Sequence, residues 1–153
     1  KAYIEKEVKD FYVHGLAIEG DIMITQSWVN RNINGGGTHV HYHHNSVISG
    51  VYYMDVPDNS TLIKFYKADV DRSTVYRLEP EVNPDLFKGN PYAQTVATIP
   101  VANSEILLFP SYLPHSVPDM ATSKDRWTLA FNTVPVILGP RNTLTELIIK
   151  TTK

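Results

Sequence analysis

The chain has 153 residues, of which 42% are hydrophobic and 20% charged, with a formal net charge of −2 when histidines are neutral. This composition is typical of a soluble globular protein and excludes a disordered chain. Its 14 Lys and Arg residues form no basic stripe, so nucleic acid is not favoured as a partner. Cysteine is absent, which excludes disulfides and thiolate metal sites.

The length favours one domain, residues 1–153, with a substantial core. No apolar run is long enough to cross a bilayer, and no signal peptide is visible. We therefore expect no membrane partner and a cytoplasmic location. The first residue is Lys1 rather than Met, as expected of a processed or trimmed polypeptide.

The predicted elements begin with a helix over residues 2–16, where apolar residues recur at helical spacing and Gly15 is a stop signal. Beyond it, short segments rich in β-branched and aromatic residues alternate with Gly, Pro, Asn and Asp. These segments predict about eight strands: DIMITQSWVN, THVHYH, VISGVYYMDV, TLIKFYK, QTVATIP, SEILLFP, RWTLAFNTV and TLTELIIK. One helix followed by these strands predicts an all-β jelly roll or barrel.

Residues 68–92 show no clear strand period. A connection of that length is usually functional or disordered. Its mixed charges and Tyr76 predict a lid that orders when substrate binds, and the alternative is a mobile surface loop. The charged residues are Asp69, Asp71, Arg72, Arg77 and Glu79.

Four of the six histidines lie within residues 39–44. If that segment is a strand, His39, His41 and His43 share one face and His44 the other. Neutral imidazole is a common metal ligand, and an H-x-H pair at a strand end needs a third ligand from elsewhere. The candidate is His115, in FPSYLPHSVPD, and the alternative is a solvated histidine-rich turn.

Arg126 lies eleven positions after His115 and begins the segment RWTLAFN. In a strand it shares a small, polar face with Thr128, Ala130 and Asn132. A buried Arg needs an anion, and its planar fork suits a carboxylate. The alternatives are an exposed arginine and one paired with a carboxylate of the protein.

The segment SGVYYM places Ser49 and Tyr53 on one strand face shortly after the H-x-H pair. Their hydroxyls are suited to hydrogen-bond a small polar ligand inside a barrel. The alternative is ordinary packing, which is stronger for Tyr52 on the other face.

In order, these parts are H-x-H, SGVYY, FPS-x-x-x-H and an Arg in RWTLAFN. This order resembles the 2-oxoglutarate- and iron(II)-dependent oxygenases, on the prolyl-hydroxylase-like side of that superfamily. It is more closely similar to a small group of bacterial and phage proteins with W-x-N, H-x-H-x-N-S, SGVYY and LLFPSxLxH motifs, here SWVNRN, HYHHNS, SGVYYM and LLFPSYLPH. The resemblance covers residues 27–132.

The resemblance implies a double-stranded β-helix that uses Fe(II), 2-oxoglutarate and O₂. It implies that His41 and His115 bind iron and that Arg126 pairs with the distal carboxylate of 2-oxoglutarate. It also implies that the hydroxyl residues near Arg126 line the cosubstrate pocket: Ser49, Tyr53 and Thr128.

The chain departs from the superfamily at His43, where an Asp or Glu is usual. No carboxylate occurs between Gln26 and Met54. Either His43 is the third metal ligand, or a distant carboxylate or water takes that position. An all-histidine site carries one negative charge less, which lowers its affinity for iron relative to zinc or copper.

The predicted activity is hydroxylation of a C–H bond, favouring a peptide or amino-acid side chain, with release of succinate and CO₂. One alternative is a cupin-like three-histidine dioxygenase that uses no keto acid, in which Arg126 binds the carboxylate of the substrate. The other is a non-catalytic jelly roll whose histidines are structural.

Overall fold

A computed structural model of the chain describes residues 1–33, 36–57, 62–67, 95–119, 124–139 and 142–149. The predicted helix is present as α1 (Ala2–Asp10), followed by a π-helical turn over Phe11–Gly15. At the end of that turn a Cβ on Gly15 would lie 2.7 Å from the Phe11 ring. Glycine is therefore needed where the turn closes against that ring, which explains why the helical segment ends there. The described residues contain no helix of the length and apolarity needed to cross a membrane.

Ten strands follow in the described residues, and most of them are short. They are β1 (Ile22–Asn32), β2 (Thr38–His41), β3 (Ile48–Asp55), β4 (Leu62–Tyr66), β5 (Val96–Pro100), β6 (Ile106–Pro110), β7 (His115–Val117), β8 (Arg126–Pro135), β9 (Ile137–Leu138) and β10 (Leu147–Ile148). Each of the predicted segments contains one of them. The last predicted strand, residues 143–150, is reduced to the two residues of β10.

The strands form two four-stranded antiparallel sheets, and β9 pairs with β10 separately. The major sheet has the order β1-β8-β3-β6, and the minor sheet has the order β2-β7-β4-β5. Neighbours in each sheet are mostly distant in sequence, as the crossovers of a jelly roll require. The predicted double-stranded β-helix with one N-terminal helix is thus confirmed. That residues 1–153 form a single domain stays a prediction.

The hydrophobic core lies between the two sheets. Phe65 of the minor sheet meets Phe109 of the major sheet edge to face, with ring centroids 5.0 Å apart, and Ile63 is buried beside them. Burying each such side chain contributes about 1.5–3 kcal/mol. This contact holds the sheets face to face and fixes the end of the sandwich next to His115, whose ring lies 4.7 Å from that of Phe109.

The two faces of the major sheet have different partners. Gly50 of β3 lies beside Phe131 of β8, and a Cβ at Gly50 would stand 2.1 Å from the Phe131 ring. The glycine therefore lets this ring lie across the sheet. Phe131 and Val8 of α1 line a cavity of about 600 Å³ that contains none of the histidines. On the opposite face of β8 lie Asn132, Thr128 and Arg126, directed by strand alternation toward the interior of the sandwich.

Candidate metal centre and basic pocket

Strand pairing brings two of the predicted metal ligands together. His41, the last residue of β2, is directly opposite His115, the first residue of β7. His43 lies two residues beyond the end of β2, where its backbone N–H donates to the carbonyl of Ser111 (2.9 Å). The expectation that the strand continues through His43 is therefore wrong, because a loop carbonyl takes the place of a strand partner.

The three rings of His41, His43 and His115 nevertheless converge. Their potential ligand nitrogens all lie within 4.8 Å of one another. The ring centroids are 5.2 Å apart for His41–His43, 4.3 Å for His41–His115 and 5.1 Å for His43–His115. Across the described part of the chain this is the one group of three His, Cys, Asp or Glu residues with such geometry, and His39 is outside it.

Hydrogen bonds at Nδ1 set the protonation of two of these rings. Nδ1 of His41 lies 2.8 Å from the carbonyl oxygen of His39, and Nδ1 of His115 lies 3.0 Å from that of Leu113. A carbonyl oxygen only accepts, so Nδ1 must carry the proton and donate. In the neutral ring Nε2 then has a free lone pair, which is the arrangement of a metal-binding histidine.

His43 has side-chain partners at the same position. Its Nδ1 lies 2.6 Å from Oδ1 of Asn132 and 2.8 Å from Oγ of Ser49. Ser49 and Asn132 are opposite each other in the β3–β8 pairing, which places both side chains on one face. Sequence reasoning placed Asn132 on this face but missed its contact with a candidate ligand.

Burial favours the neutral form of two of these rings, those of His43 and His115. Burial lowers the pKa of His115 to about 4, against the opposing effect of the hydrogen bond to Leu113. Burial also lowers the pKa of His43, although the hydrogen bond to Asn132 counteracts it. Neutral imidazoles near pH 7 need lose no proton before binding a metal. Three convergent imidazole nitrogens therefore fit a divalent transition metal.

One side of the trio is open. The ring of Trp28, on β1, lies 5.9 Å from that of His43 and is 36% exposed. Phe109 and Phe65 close the other side, with ring centroids 4.7 Å and 6.0 Å from that of His115. A ligand can thus approach along Trp28, whereas the two phenylalanines exclude water behind His115.

A basic pocket lies on the interior face of the major sheet, the face that also carries Ser49 and Asn132. Arg126 is only 6% exposed, and its guanidinium carbon lies 5.4 Å from the centroid of the fully buried Tyr53 ring. Among the described residues, Nε and Nη1 of Arg126 and Oη of Tyr53 have no hydrogen-bond partner. Burial lowers the pKa of Arg126 and raises that of Tyr53 to about 12, which the positive charge of Arg126 opposes.

A buried cation is costly unless an anion accompanies it. Within the described part of the chain Arg126 forms no ion pair, whereas the exposed Arg31 pairs with Asp125. The acidic residues of the predicted lid, residues 68–92, lie outside the described residues. The basic pocket, with two hydrogen-bonding side chains and one positive charge, suits a carboxylate.

The remaining predicted pocket residues lie at different ends of this face. Thr128 is 2% exposed and stands opposite Tyr53 in the β3–β8 pairing, near the basic pocket. Ser49 lies at the other end, with its hydroxyl engaged by His43, Asn132 and Ser111. Contact of Ser49, Tyr53 and Thr128 with a cosubstrate stays a prediction.

Residues 26–132 match the protein family described as "Putative 2OG-Fe(II) oxygenase". No curated protein sequence matches the chain significantly. Similar solved structures include a 2OG-Fe(II) oxygenase family oxidoreductase from Burkholderia pseudomallei, with a TM-score of 0.55 and 11% identity over 80% of this chain and 50% of that one. Another is HygX from Streptomyces hygroscopicus with nickel and 2-oxoglutarate bound, with a TM-score of 0.51 and 14% identity over 87% of this chain and 64% of that one.

This chain spans about half to two thirds of the length of those structures. At such identities they show a shared jelly-roll fold. The family match is independent of them and covers more than half of the chain, including all three histidines and Arg126. The chain therefore belongs to the 2OG-Fe(II) oxygenase family, whose cofactors are Fe(II) and 2-oxoglutarate.

Proposed function

We propose that the chain is a 2-oxoglutarate-dependent hydroxylase in which His41, His43 and His115 hold Fe(II) and Arg126 binds the distal carboxylate of 2-oxoglutarate. The observation that carries this proposal is the presence of two features in the interior of the sandwich. One is a trio of convergent imidazoles, and the other is a buried guanidinium without a counter-ion among the described residues.

Bound Fe(II) supplies the activation of O₂, which couples loss of CO₂ from 2-oxoglutarate to insertion of one oxygen atom into a substrate C–H bond. The protein positions the metal and 2-oxoglutarate. His41, His43 and His115 would hold the metal, while Arg126 would donate charge-assisted hydrogen bonds to the distal carboxylate and Tyr53 Oη would donate another. Phe65 and Phe109 exclude water from the side of His115.

The third neutral ligand changes the charge of the site. Where an Asp or Glu would cancel one positive charge, His43 cancels none, so the bound keto acid is the main source of negative charge near the metal. We expect metal and 2-oxoglutarate to strengthen each other's binding for that reason. We also expect less discrimination against zinc and copper than a site with a carboxylate ligand would show.

The open side along Trp28 is the proposed approach of the substrate, and a peptide or amino-acid side chain is favoured there. HygX binds 2-oxoglutarate in the same fold, which supports placing the keto acid between the metal and the basic pocket. We further propose that the chain belongs to the small bacterial and phage group with the SGVYY and LLFPSxLxH motifs and acts in the cytoplasm.

The all-histidine ligand set favours one alternative, a dioxygenase that uses no keto acid. In that case Arg126 binds the carboxylate of the substrate itself. This alternative predicts O₂ consumption in the absence of 2-oxoglutarate once a suitable carboxylic acid is present.

The decisive experiment is anaerobic loading with Fe(II), followed by addition of O₂ and 2-oxoglutarate and measurement of succinate. We expect iron-dependent succinate even without a cognate substrate, at a slow rate, and none in His115→Ala. Arg126→Met should also lower succinate formation. Its matched control is Arg31→Met, because Arg31 is exposed and lies over Trp127. Equal succinate formation with and without iron, or none with iron and 2-oxoglutarate both bound, would contradict the proposal.

A further inference from the structure

Behind His43 a chain of three serine hydroxyls leads away from the metal centre. Ser49 Oγ is 2.8 Å from His43 Nδ1, Ser111 Oγ is 2.8 Å from Ser49 Oγ, and Ser46 Oγ is 2.7 Å from Ser111 Oγ. Ser46 Oγ then contacts two backbone carbonyl oxygens, those of Ile48 (3.1 Å) and Thr133 (3.0 Å). Ser49 and Ser111 are completely buried, so water does not compete for these bonds.

The contacts within the serine chain favour one direction of donation. Each hydroxyl has one hydrogen, and a carbonyl oxygen only accepts, so the hydrogen of Ser46 goes to the backbone. Ser46 must then accept from Ser111. Ser111 has thereby used its hydrogen, so it must accept from Ser49. Ser49 has two acceptors for its one hydrogen, Ser111 Oγ and Asn132 Oδ1, each at 2.8 Å. It therefore turns a lone pair toward His43, and His43 Nδ1 is the donor.

The contacts of Asn132 are consistent with donation from His43 Nδ1. Its Oδ1, 2.6 Å from His43 Nδ1, accepts a hydrogen, while its Nδ2 lies 3.4 Å from Oε1 of Gln26 on β1. Amide oxygen and nitrogen can be interchanged in a structure, so this contact alone would not fix the proton on His43. The Ser49 hydroxyl also donates to this Oδ1 at 2.8 Å, so the orientation with the amide oxygen toward the ring gives both Ser49 and His43 Nδ1 an acceptor.

We propose that Ser49, Ser111 and Ser46, together with Asn132, hold His43 in its Nδ1–H form before any metal binds. The inference rests on the proposed role of His43 as a metal ligand. A carboxylate ligand has two equivalent oxygens, whereas a histidine binds through Nε2 only when Nδ1 has the proton. Replacing the usual carboxylate with His43 thus creates a need for a fixed proton position, and these positioning residues meet it.

The other two histidines provide internal controls. Their Nδ1 atoms donate to the backbone carbonyls of His39 and Leu113, which no side-chain substitution removes. Among the three ligands, His43 is thus the one whose proton position is set by side chains. Changing both the serine chain and Asn132 should alter His43 and leave His41 and His115 as they are.

The test is long-range ¹H–¹⁵N NMR of histidine-labelled full chain, after removal of metal with a chelator, at a pH where the rings are neutral. We expect wild-type His43 to be Nδ1–H. In Ser111→Ala alone, Asn132 Oδ1 still accepts from Ser49, so the ring should stay Nδ1–H. In Ser111→Ala combined with Asn132→Leu, the Ser49 hydroxyl loses both acceptors and donates to Nδ1, so the ring shifts toward Nε2–H. Zn(II) affinity, measured by competition with a chelating dye, should fall about tenfold.

Two further variants separate positioning from loss of structure. Ser116→Ala removes another buried serine hydroxyl, bonded to Tyr66 rather than to the serine chain, and should change neither the His43 signal nor Zn(II) affinity. Asn132→Asp, combined with Ser111→Ala, supplies a strong acceptor and should restore the Nδ1–H form and most of the Zn(II) affinity. Thermal unfolding confirms that each variant is folded.

A wild-type His43 in the Nε2–H form, or one unaffected by Ser111→Ala combined with Asn132→Leu, would overturn the inference. These outcomes are distinguishable from failure of the proposed function. If His43 is Nδ1–H but the protein binds no metal, the serine chain stands and the metal assignment fails. If Zn(II) binds tightly while His43 is Nε2–H in the metal-free protein, the metal assignment stands and the inference fails.

Discussion

The two ends of the proposed site differ in how far their buried polar atoms are satisfied by the protein. At the metal end, Nδ1 of His41, His43 and His115 each has a hydrogen-bond acceptor within 3.0 Å. At the other end, polar atoms of Arg126 and Tyr53 are buried with no partner among the described residues. The first end is preorganised by the described part of the chain, and the second is suited to an anionic ligand.

This difference has an energetic consequence. A satisfied hydrogen bond contributes only about 0.5–1.5 kcal/mol, but a buried group left unpaired costs about 1–3 kcal/mol and more if charged. Among the described residues, the contacts at the metal end therefore stabilise the fold, whereas the basic pocket has no comparable contacts. A fold that retains such a cost in its interior is expected to recover it when a ligand binds.

The largest expected effect is at the metal end. His115→Ala removes the most buried of the three ligands and should abolish most Fe(II) binding, by about a hundredfold or more, while the chain stays folded. Metal stoichiometry after anaerobic loading and desalting measures this. His39→Ala is the control and should bind nearly as well as wild type, because His39 contributes only its backbone carbonyl. Normal iron content in His115→Ala would remove His115 from the site.

Arg126→Met should weaken 2-oxoglutarate binding about ten- to a hundredfold, because a charge-assisted contact contributes about 1.5–3 kcal/mol. Metal affinity in the absence of 2-oxoglutarate should barely change. The ligand-free variant should also unfold at a higher temperature than wild type, since an apolar side chain replaces a buried charge that has no ion-pair partner among the described residues. Arg31→Met should show neither effect. If keto-acid affinity is unchanged, the basic pocket is structural.

His43→Asp and His43→Ala sharpen the assignment of the third ligand. Asp would restore a carboxylate where the superfamily usually has one, and its charge favours hard divalent ions. We expect His43→Asp to retain Fe(II) binding and His43→Ala to weaken it by about tenfold, a typical change for a weakened metal site. Calorimetric titration with Fe(II) under anaerobic conditions compares them. Identical affinities, close to wild type, would mean that His43 is not a ligand.

The smallest expected effect is that of Tyr53→Phe. Removing one neutral donor should cost about 0.5–1.5 kcal/mol, or roughly three- to tenfold in 2-oxoglutarate affinity. Thermal stability without ligand should not fall, because the Tyr53 hydroxyl has no hydrogen-bond partner among the described residues. A clear loss of stability would show that the hydroxyl already has a partner in the protein, and would weaken the contrast between the two ends.

Local sequence patterns were sufficient to predict most strands but not β7 and β9. Strands β1, β3 and β8 are long and rich in β-branched and aromatic residues, and local chemistry marks them. Strand β7 has three residues and exists because β2 and β4 pair with it on either side. That pairing is long-range, so the sequence HSV alone does not indicate a strand.

The site likewise has features that local sequence predicts and features that depend on long-range pairing. The spacing of His41 and His43 and the isolated His115 were enough to predict a metal centre. Sequence gave no sign that His43 leaves the strand or that Asn132 reaches it, since both depend on the register of β3 against β8 and on the Ser111 carbonyl. The burial of Arg126 was equally undetermined, because an exposed arginine produces the same local pattern.

The central claim is that 2-oxoglutarate contacts both the histidine-bound metal and the basic pocket. The most direct test is to titrate 2-oxoglutarate into Zn(II)-loaded and metal-free protein, in wild type and in Arg126→Met. Zinc binds the same nitrogens without turnover. We expect loading with metal to strengthen binding by at least about tenfold in wild type, a coupling of roughly 1.4 kcal/mol. In Arg126→Met, both forms should bind more weakly than their wild-type counterparts. Wild-type affinity that is the same with and without metal would contradict the account, because 2-oxoglutarate would then not contact the histidine-bound ion.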